Sequence, residues 1–157
     1  MKRLLLLGVL GACGGDPVNA EGTYTVAVTN RTNGCNFVNW TIDNSAPDIK
    51  VVINQEGEDV NADVMGLTRL YLDGILGGHV FQGTVDGNDL DMKIVGTPKL
   101  TTGNCVDHTI DAHLMTSLNG DFLEGRIEYT IVGAGSTCEP YDGCVSYQDM
   151  NGNRPPS

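Results

Sequence analysis

Residues 108–131 read HTIDAHLMTSLNGDFLEGRIEYTI. Ile110, Ala112 and Leu114 precede Asn119-Gly120 at every second position, and Ile127, Tyr129 and Ile131 follow it in the same way. A period of two marks a strand with one buried face, and Asn-Gly between two such runs is the strongest short hairpin signal. Folding the chain at Asn119-Gly120 sets Leu114 opposite Gly125, Ala112 opposite Ile127, Ile110 opposite Tyr129 and His108 opposite Ile131. A slip of one residue would turn this apolar set outward, so the pattern predicts an antiparallel pair with one face in a core.

The same operation works at two further places. A turn at Glu56-Gly57 sets Ile53 opposite Val60, Val51 opposite Ala62 and Ile49 opposite Val64, with Lys50 beside Asp63 on the outer face. A turn at Asp86-Gly87 sets Gly83 opposite Leu90, Phe81 opposite Met92 and His79 opposite Ile94. Tyr24 to Val28, Cys35 to Ile42 and Cys144 to Asp149 read as further strands, and Thr68 to Leu76 as either a strand or a short helical turn. The 21 glycines and the lack of any long helical period exclude a helical bundle. The expected fold is all-β: an antiparallel up-and-down meander of about eight to ten strands, closed into a barrel because closure removes exposed edges. A β-sandwich is the alternative, and it would require a long crossover. One domain is expected over 21–151, with 152–157 as a flexible tail.

Met1-Lys2-Arg3 is cationic, Leu4 to Leu10 is apolar apart from Gly8, and the small residues Gly11 and Ala12 precede Cys13. The apolar run is too short to span a bilayer, which needs ~20 residues, but it suits the centre of a secretory signal. Leu10-Gly11-Ala12-Cys13 resembles the lipobox of bacterial lipoproteins. That resemblance implies removal of 1–12, acylation of Cys13, and a partner in the lipid bilayer. Two or more acyl chains give stable anchoring where one does not. Gly14 follows the cysteine and the first acid is Asp16, which in that family implies the outer membrane of a bacterial cell envelope. Residues 13–20 would then be the lipidated cysteine and a tether, reaching ~25 Å at full extension. Without 1–12, seven basic and twenty acidic residues remain, so the formal charge moves from −11 to −13.

With Cys13 assigned to lipid, four of the five cysteines are left, an even number that reads as two disulfides in an exported chain. In a closed meander the last strand lies antiparallel beside the first, which brings Cys144 near Cys35. The hairpin at Asn119-Gly120 brings Cys105 near the loop that holds Cys138. The favoured pairing is Cys35–Cys144 with Cys105–Cys138; the rival is Cys138–Cys144 with Cys35–Cys105.

Gly22-Thr23-Tyr24 resembles the Gly-x-Trp opening of the lipocalins, within the calycin superfamily, with tyrosine in place of tryptophan. The lipobox, meander, cysteines and Asn-Gly-Asn-Arg-Pro-Pro ending also resemble envelope lipoproteins of similar size that have no assigned activity. A lipocalin-like barrel implies an interior that holds a small apolar or amphipathic ligand. The interior candidates are Tyr24, Trp40, His79, Phe81, Met92, His108 and Tyr129.

Several chemistries are disfavoured. A pI near 4.4 repels nucleic acid. The cysteines lack zinc spacing. Asp86, Asn88, Asp89 and Asp91 crowd one turn, but Leu90 stands where a calcium loop needs a ligand. Asp111 and Glu128 fall opposite each other as a solvated carboxylate pair rather than an acid–base dyad. No nucleophile elbow or phosphate loop is present. Neither cofactor, metal nor catalytic activity is expected. The expected function is an envelope lipoprotein binding a small ligand, with a packed-barrel interaction scaffold as the alternative.

Overall fold

A computed structural model describes residues 16–133 and 136–155. The strands are β1 (Gly22–Asn33), β2 (Ser45–Glu56), β3 (Asp59–Val64), β4 (Val80–Asp86), β5 (Asp89–Ile94), β6 (Leu100–Thr102), β7 (Cys105–Asn119), β8 (Phe122–Val132) and β9 (Val145–Asn153). One helix, α1 (Gly66–Leu76), joins β3 to β4, and a 3₁₀ segment (Ser136–Tyr141) precedes β9. Neighbouring strands pair antiparallel in the order β5-β4-β3-β2-β1-β9-β8-β7, and β5 also pairs with β7. The result is a closed eight-strand up-and-down barrel, consistent with a lipocalin-like architecture. The short β6 lies outside the ring, paired only with the start of β7.

The inward faces are the apolar sets that alternation marks: Tyr24, Val26 and Val28 on β1; Val51 and Ile53 on β2; Ile110, Ala112 and Leu114 on β7. The pairing within the hairpins, however, is displaced by two residues from the expected one. Ile53 faces Ala62, Gly83 faces Met92 and Leu114 faces Ile127. The cause is shared. The turns are Gly57-Glu58, Gly87-Asn88 and Gly120-Asp121, with glycine first rather than second. Their φ values are +65°, +56° and +63°, and the following residue has no positive φ, the pattern of a type II′ turn. A displacement of two keeps every side chain on its face, so the core is unchanged while the partners differ. Lys50 therefore does not face Asp63, which lies opposite Val52. Asp111 faces Thr130 rather than Glu128, and its carboxylate accepts the Gly96 N–H at 2.9 Å.

Three expected local features differ, and one that the sequence leaves open resolves as helix. Cys35 to Ile42 is a loop, because Asn36, Asn39 and Asp43 take positive φ (54°, 62° and 64°), which Asn and Asp tolerate better than other side-chain-bearing residues. Asn33 stabilises this loop by accepting the Phe37 N–H at 2.8 Å and donating to the Phe37 carbonyl at 2.9 Å. Thr68 to Leu76 belongs to α1, which ends on Gly77 in the left-handed region. The last strand runs on to Asn153, so 152–153 belong to the barrel rather than to a flexible tail. Arg154 then pairs with Asp121 at 2.8 Å and donates to the carbonyls of Asn19 and Glu21. Finally, 18–20 are docked rather than free: the Val18 N–H reaches the Gly87 carbonyl at 2.7 Å, and Ala20 is fully buried. Cys13 lies outside the described residues.

The two ends of the barrel are unlike. The three tight turns and the docked segment 18–20 gather at one end. The connections 34–44, 65–79 and 95–104 gather at the other, together with residues 136–144 ahead of β9. The disulfides Cys35–Cys144 and Cys105–Cys138 both brace the long-loop end.

The turn assignment makes a testable distinction. Gly120→Ala places a Cβ at φ +63° and should cost about 1–2 kcal/mol, lowering the melting temperature by roughly 3–6 °C. Asn119→Ala, at a strand end, should change it by less than half as much. Equal losses in the two variants would restore Asn119-Gly120 as the turn.

Candidate ligand cavity

At the turn end the barrel is plugged. Tyr24, Val60, Val85, Leu90 and Leu118 are almost wholly buried and none lines the barrel's main cavity. The Tyr24 hydroxyl donates to the Ala20 carbonyl at 3.0 Å, and the Arg154 guanidinium lies 5.6 Å from its ring centroid. Above this plug is a cavity of about 610 Å³, within the ~300–1,000 Å³ range of small-molecule sites. Its walls are mostly apolar, among them Ile53, Ala62, Phe81, Met92, Leu114 and Ile127.

The mouth lies at the long-loop end. Phe37, Val38 and Trp40 from the β1–β2 loop form one side, and Leu67, Tyr71, Leu72 and Ile75 from α1 form another. Val38 is 85% exposed and Leu67 84%, so the rim is apolar as well as the interior. The β1–β2 loop is held in place by several bonds. Cys35 is crosslinked to Cys144, and its N–H donates to Ser146 Oγ at 3.0 Å. The Trp40 indole N–H donates to the Arg31 carbonyl at 2.9 Å. Phe37, Trp40 and Tyr129 form a row with centroid spacings of 5.9 and 6.0 Å, the second pair edge to face.

One polar line crosses the β8–β9–β1 wall. The Tyr129 hydroxyl donates to Gln148 Oε1 at 2.8 Å. Gln148 Nε2 donates to Asn30 Oδ1 at 2.7 Å, and Asn30 Nδ2 donates to the Thr41 carbonyl at 3.1 Å. Tyr129, Gln148 and Asn30 all line the cavity. Burial pushes the Tyr129 phenol well above its ordinary value of 10.0, so it stays a hydrogen-bond donor. Among the described residues, no Asp, Glu, Lys, Arg or His lines the cavity.

Of the seven interior candidates, Trp40, Phe81, Met92 and Tyr129 line the cavity. Tyr24 belongs to the plug beneath it. His79 lies beside the C-terminal half of α1, its Nδ1 2.6 Å from Asp73 Oδ1 and its Nε2 3.5 Å from Asp63 Oδ1. His108 is fully buried where β6 meets β7: Nδ1 lies 3.3 Å from the Cys105 carbonyl oxygen and Nε2 3.2 Å from Thr102 Oγ1. The two histidines thus secure separate loops and do not meet. No cluster of three metal-ligating side chains occurs among the described residues.

The sequence reading missed Asn30, Gln148 and the α1 residues. Asn30 continues the inward set Val26, Val28, and Gln148 stands between Ser146 and Met150, so alternation alone could have found both. The contribution of α1 had no such signal. Compared with protein-family models, curated proteins and solved structures, the chain matches none. The functional reading therefore rests on the barrel itself.

Burial also raises the Tyr24 phenol above 10.0, against the opposing pull of Arg154. Both phenols thus stay protonated in the folded chain at a pH where the unfolded chain releases its protons. That stability is present below about pH 10 and lost as the pH rises further. Denaturation between pH 8 and 11 should show a plateau and then a decline. Tyr129→Phe should make the decline shallower, and an unchanged slope would contradict the role given to burial.

Proposed function

We propose that this protein is a lipid-anchored envelope binding protein that holds a small apolar or amphipathic molecule inside its barrel, without catalysis. The observation that carries this reading is the 610 Å³ cavity, plugged at one end, open between the β1–β2 loop and α1 at the other, and lined mainly by apolar side chains. A packed scaffold would have filled this space with side chains. Burial of an apolar ligand there would gain roughly 25 cal/mol per Å² of apolar surface removed from water.

The anchoring part of the proposal rests on the lipobox-like Leu10-Gly11-Ala12-Cys13. Acylation at Cys13 would place the attachment five residues before Val18, a reach of about 17 Å at full extension. Val18 is docked on the Gly87 turn. The plugged end would then face the supporting bilayer, and the mouth would open away from it.

Trp40 is the sole tryptophan and lines the mouth, so its emission reports occupancy. Titration with the neutral apolar dye N-phenyl-1-naphthylamine should be saturable, with one site per chain and a shift in Trp40 emission. Ala62→Phe, which directs a ring into the cavity, should weaken binding by at least ~10-fold while leaving the melting temperature within a few degrees. Failure of the dye to saturate would overturn the binding reading. Metabolic labelling with palmitate should mark the wild type and be lost in Cys13→Ala; label retained in that variant would remove the anchor.

A further inference from the structure

We propose that the cavity selects a single-chain amphiphile whose head is uncharged and carries a hydroxyl or N–H donor, an inference that rests on the binding reading above and names its ligand class. The first observation is charge. No ionisable side chain other than tyrosine lines the cavity among the described residues. A carboxylate head drawn inside would lose its hydration with no cation to replace it. The chain's formal charge of −11 adds repulsion at the approach. A cationic head avoids that repulsion, but it meets no carboxylate inside.

The second observation is the direction of the polar line. The Thr41 carbonyl can only accept, so Asn30 must turn its NH₂ towards it. Asn30 Oδ1 then faces Gln148, which must present its own NH₂. Gln148 Oε1 then faces Tyr129, whose hydroxyl must donate. One backbone carbonyl thus orients three side chains, and the reverse arrangement would set two acceptors against each other. At the free end of this line the Tyr129 oxygen retains acceptor capacity and has no donor among the described residues. A hydroxyl or N–H on the ligand matches it; an ether or ester, which only accepts, does not.

The third observation is placement. Tyr129, Gln148 and Asn30 lie on the mouth-side halves of β8, β9 and β1, while Phe81, Met92 and Leu123 line the wall nearer the plug. A ligand with its head at Tyr129 would direct one apolar chain down the barrel.

The test displaces N-phenyl-1-naphthylamine from the full-length protein at pH 8. It uses four compounds of one chain length, each below its aggregation threshold: dodecanol, dodecyl methyl ether, dodecanoate and dodecyltrimethylammonium. Dodecanol should bind tightest, about 3- to 10-fold tighter than the ether, as expected for one net hydrogen bond, with both ions weaker still. Tyr129→Phe should bring dodecanol down to the ether and leave the ether unchanged. That constancy, with a retained thermal transition, separates loss of the acceptor from loss of the fold. Dodecanoate or the ammonium binding as tightly as dodecanol would overturn the inference while the binding reading stood. So would an alcohol preference that survives in Tyr129→Phe. Absence of dye binding would overturn the binding reading and this inference together.

Discussion

Closure of the barrel between its first and last strands is the constraint on which the remaining structure depends. β9 pairs with β1 from Asn153 opposite Thr25 to Ser146 opposite Asn33, and on its other side with β8. This seam removes the last free edge and brings residues far apart in sequence into one wall. Asn30 meets Gln148 only across it, so the polar line from Tyr129 to Thr41 exists only in the closed form. The plug depends on it too, since Arg154 reaches Asp121, Asn19 and Glu21 only when β9 is seated. Cys35–Cys144 spans 109 residues beside the seam. In the chain-entropy model a crosslink closing a loop of that size contributes about 4–5 kcal/mol, a large share of a typical domain's stability. Its position suits that role, because it fastens the two strands whose meeting in the unfolded chain carries the highest entropic cost.

The face of each strand was legible in the sequence because side-chain direction has a period of two, and the hydrophobic pattern reports it directly. The register was not, because displacement by two leaves the pattern intact. Only the turn distinguishes the two choices. Glu56-Gly57, Asp86-Gly87 and Asn119-Gly120 each suit a turn ending in glycine, and Gly57-Glu58, Gly87-Asn88 and Gly120-Asp121 each suit one that begins with it. One partner of Gly120-Asp121 lies far off in sequence: Asp121 receives Arg154, which fixes the carboxylate outside the strand ladder. Local turn chemistry could not contain that information.

The cavity was legible to the same degree. Phe81, Met92 and Tyr129 follow from alternation on their strands. Trp40 reaches the cavity for a different reason from the strand expected there: it sits on a loop fixed by left-handed asparagines, Asn33 and a disulfide. α1 was harder to read. Its buried residues Leu72 and Leu76 have helical spacing, but its lining residues become visible only when β3 and β4 position it across the mouth. His79 and His108 share strand parity with apolar neighbours, yet each stands where its strand begins to leave the barrel. There parity no longer decides what a side chain faces; the loop packed against it does.

The contrast between the two ends follows from connection length, and it bears on access. Two-residue turns bring adjacent strands together with little room for side chains to diverge, so large buried residues such as Tyr24, Leu90 and Leu118 can fill the space beneath them. Connections of about ten residues or more cannot fill the opposite end in this way. They form walls around it: an aromatic loop on one side and an apolar helix on the other. Both walls are fastened at their bases, the loop through Cys35 and Asn33 and the helix through Gly77 and the contact of Asp73 with His79. A barrel made this way is close-packed where it is plugged and bounded by two separate elements where it is open. On the proposed reading, a ligand would pass between the β1–β2 loop and α1 without disturbing any strand pair.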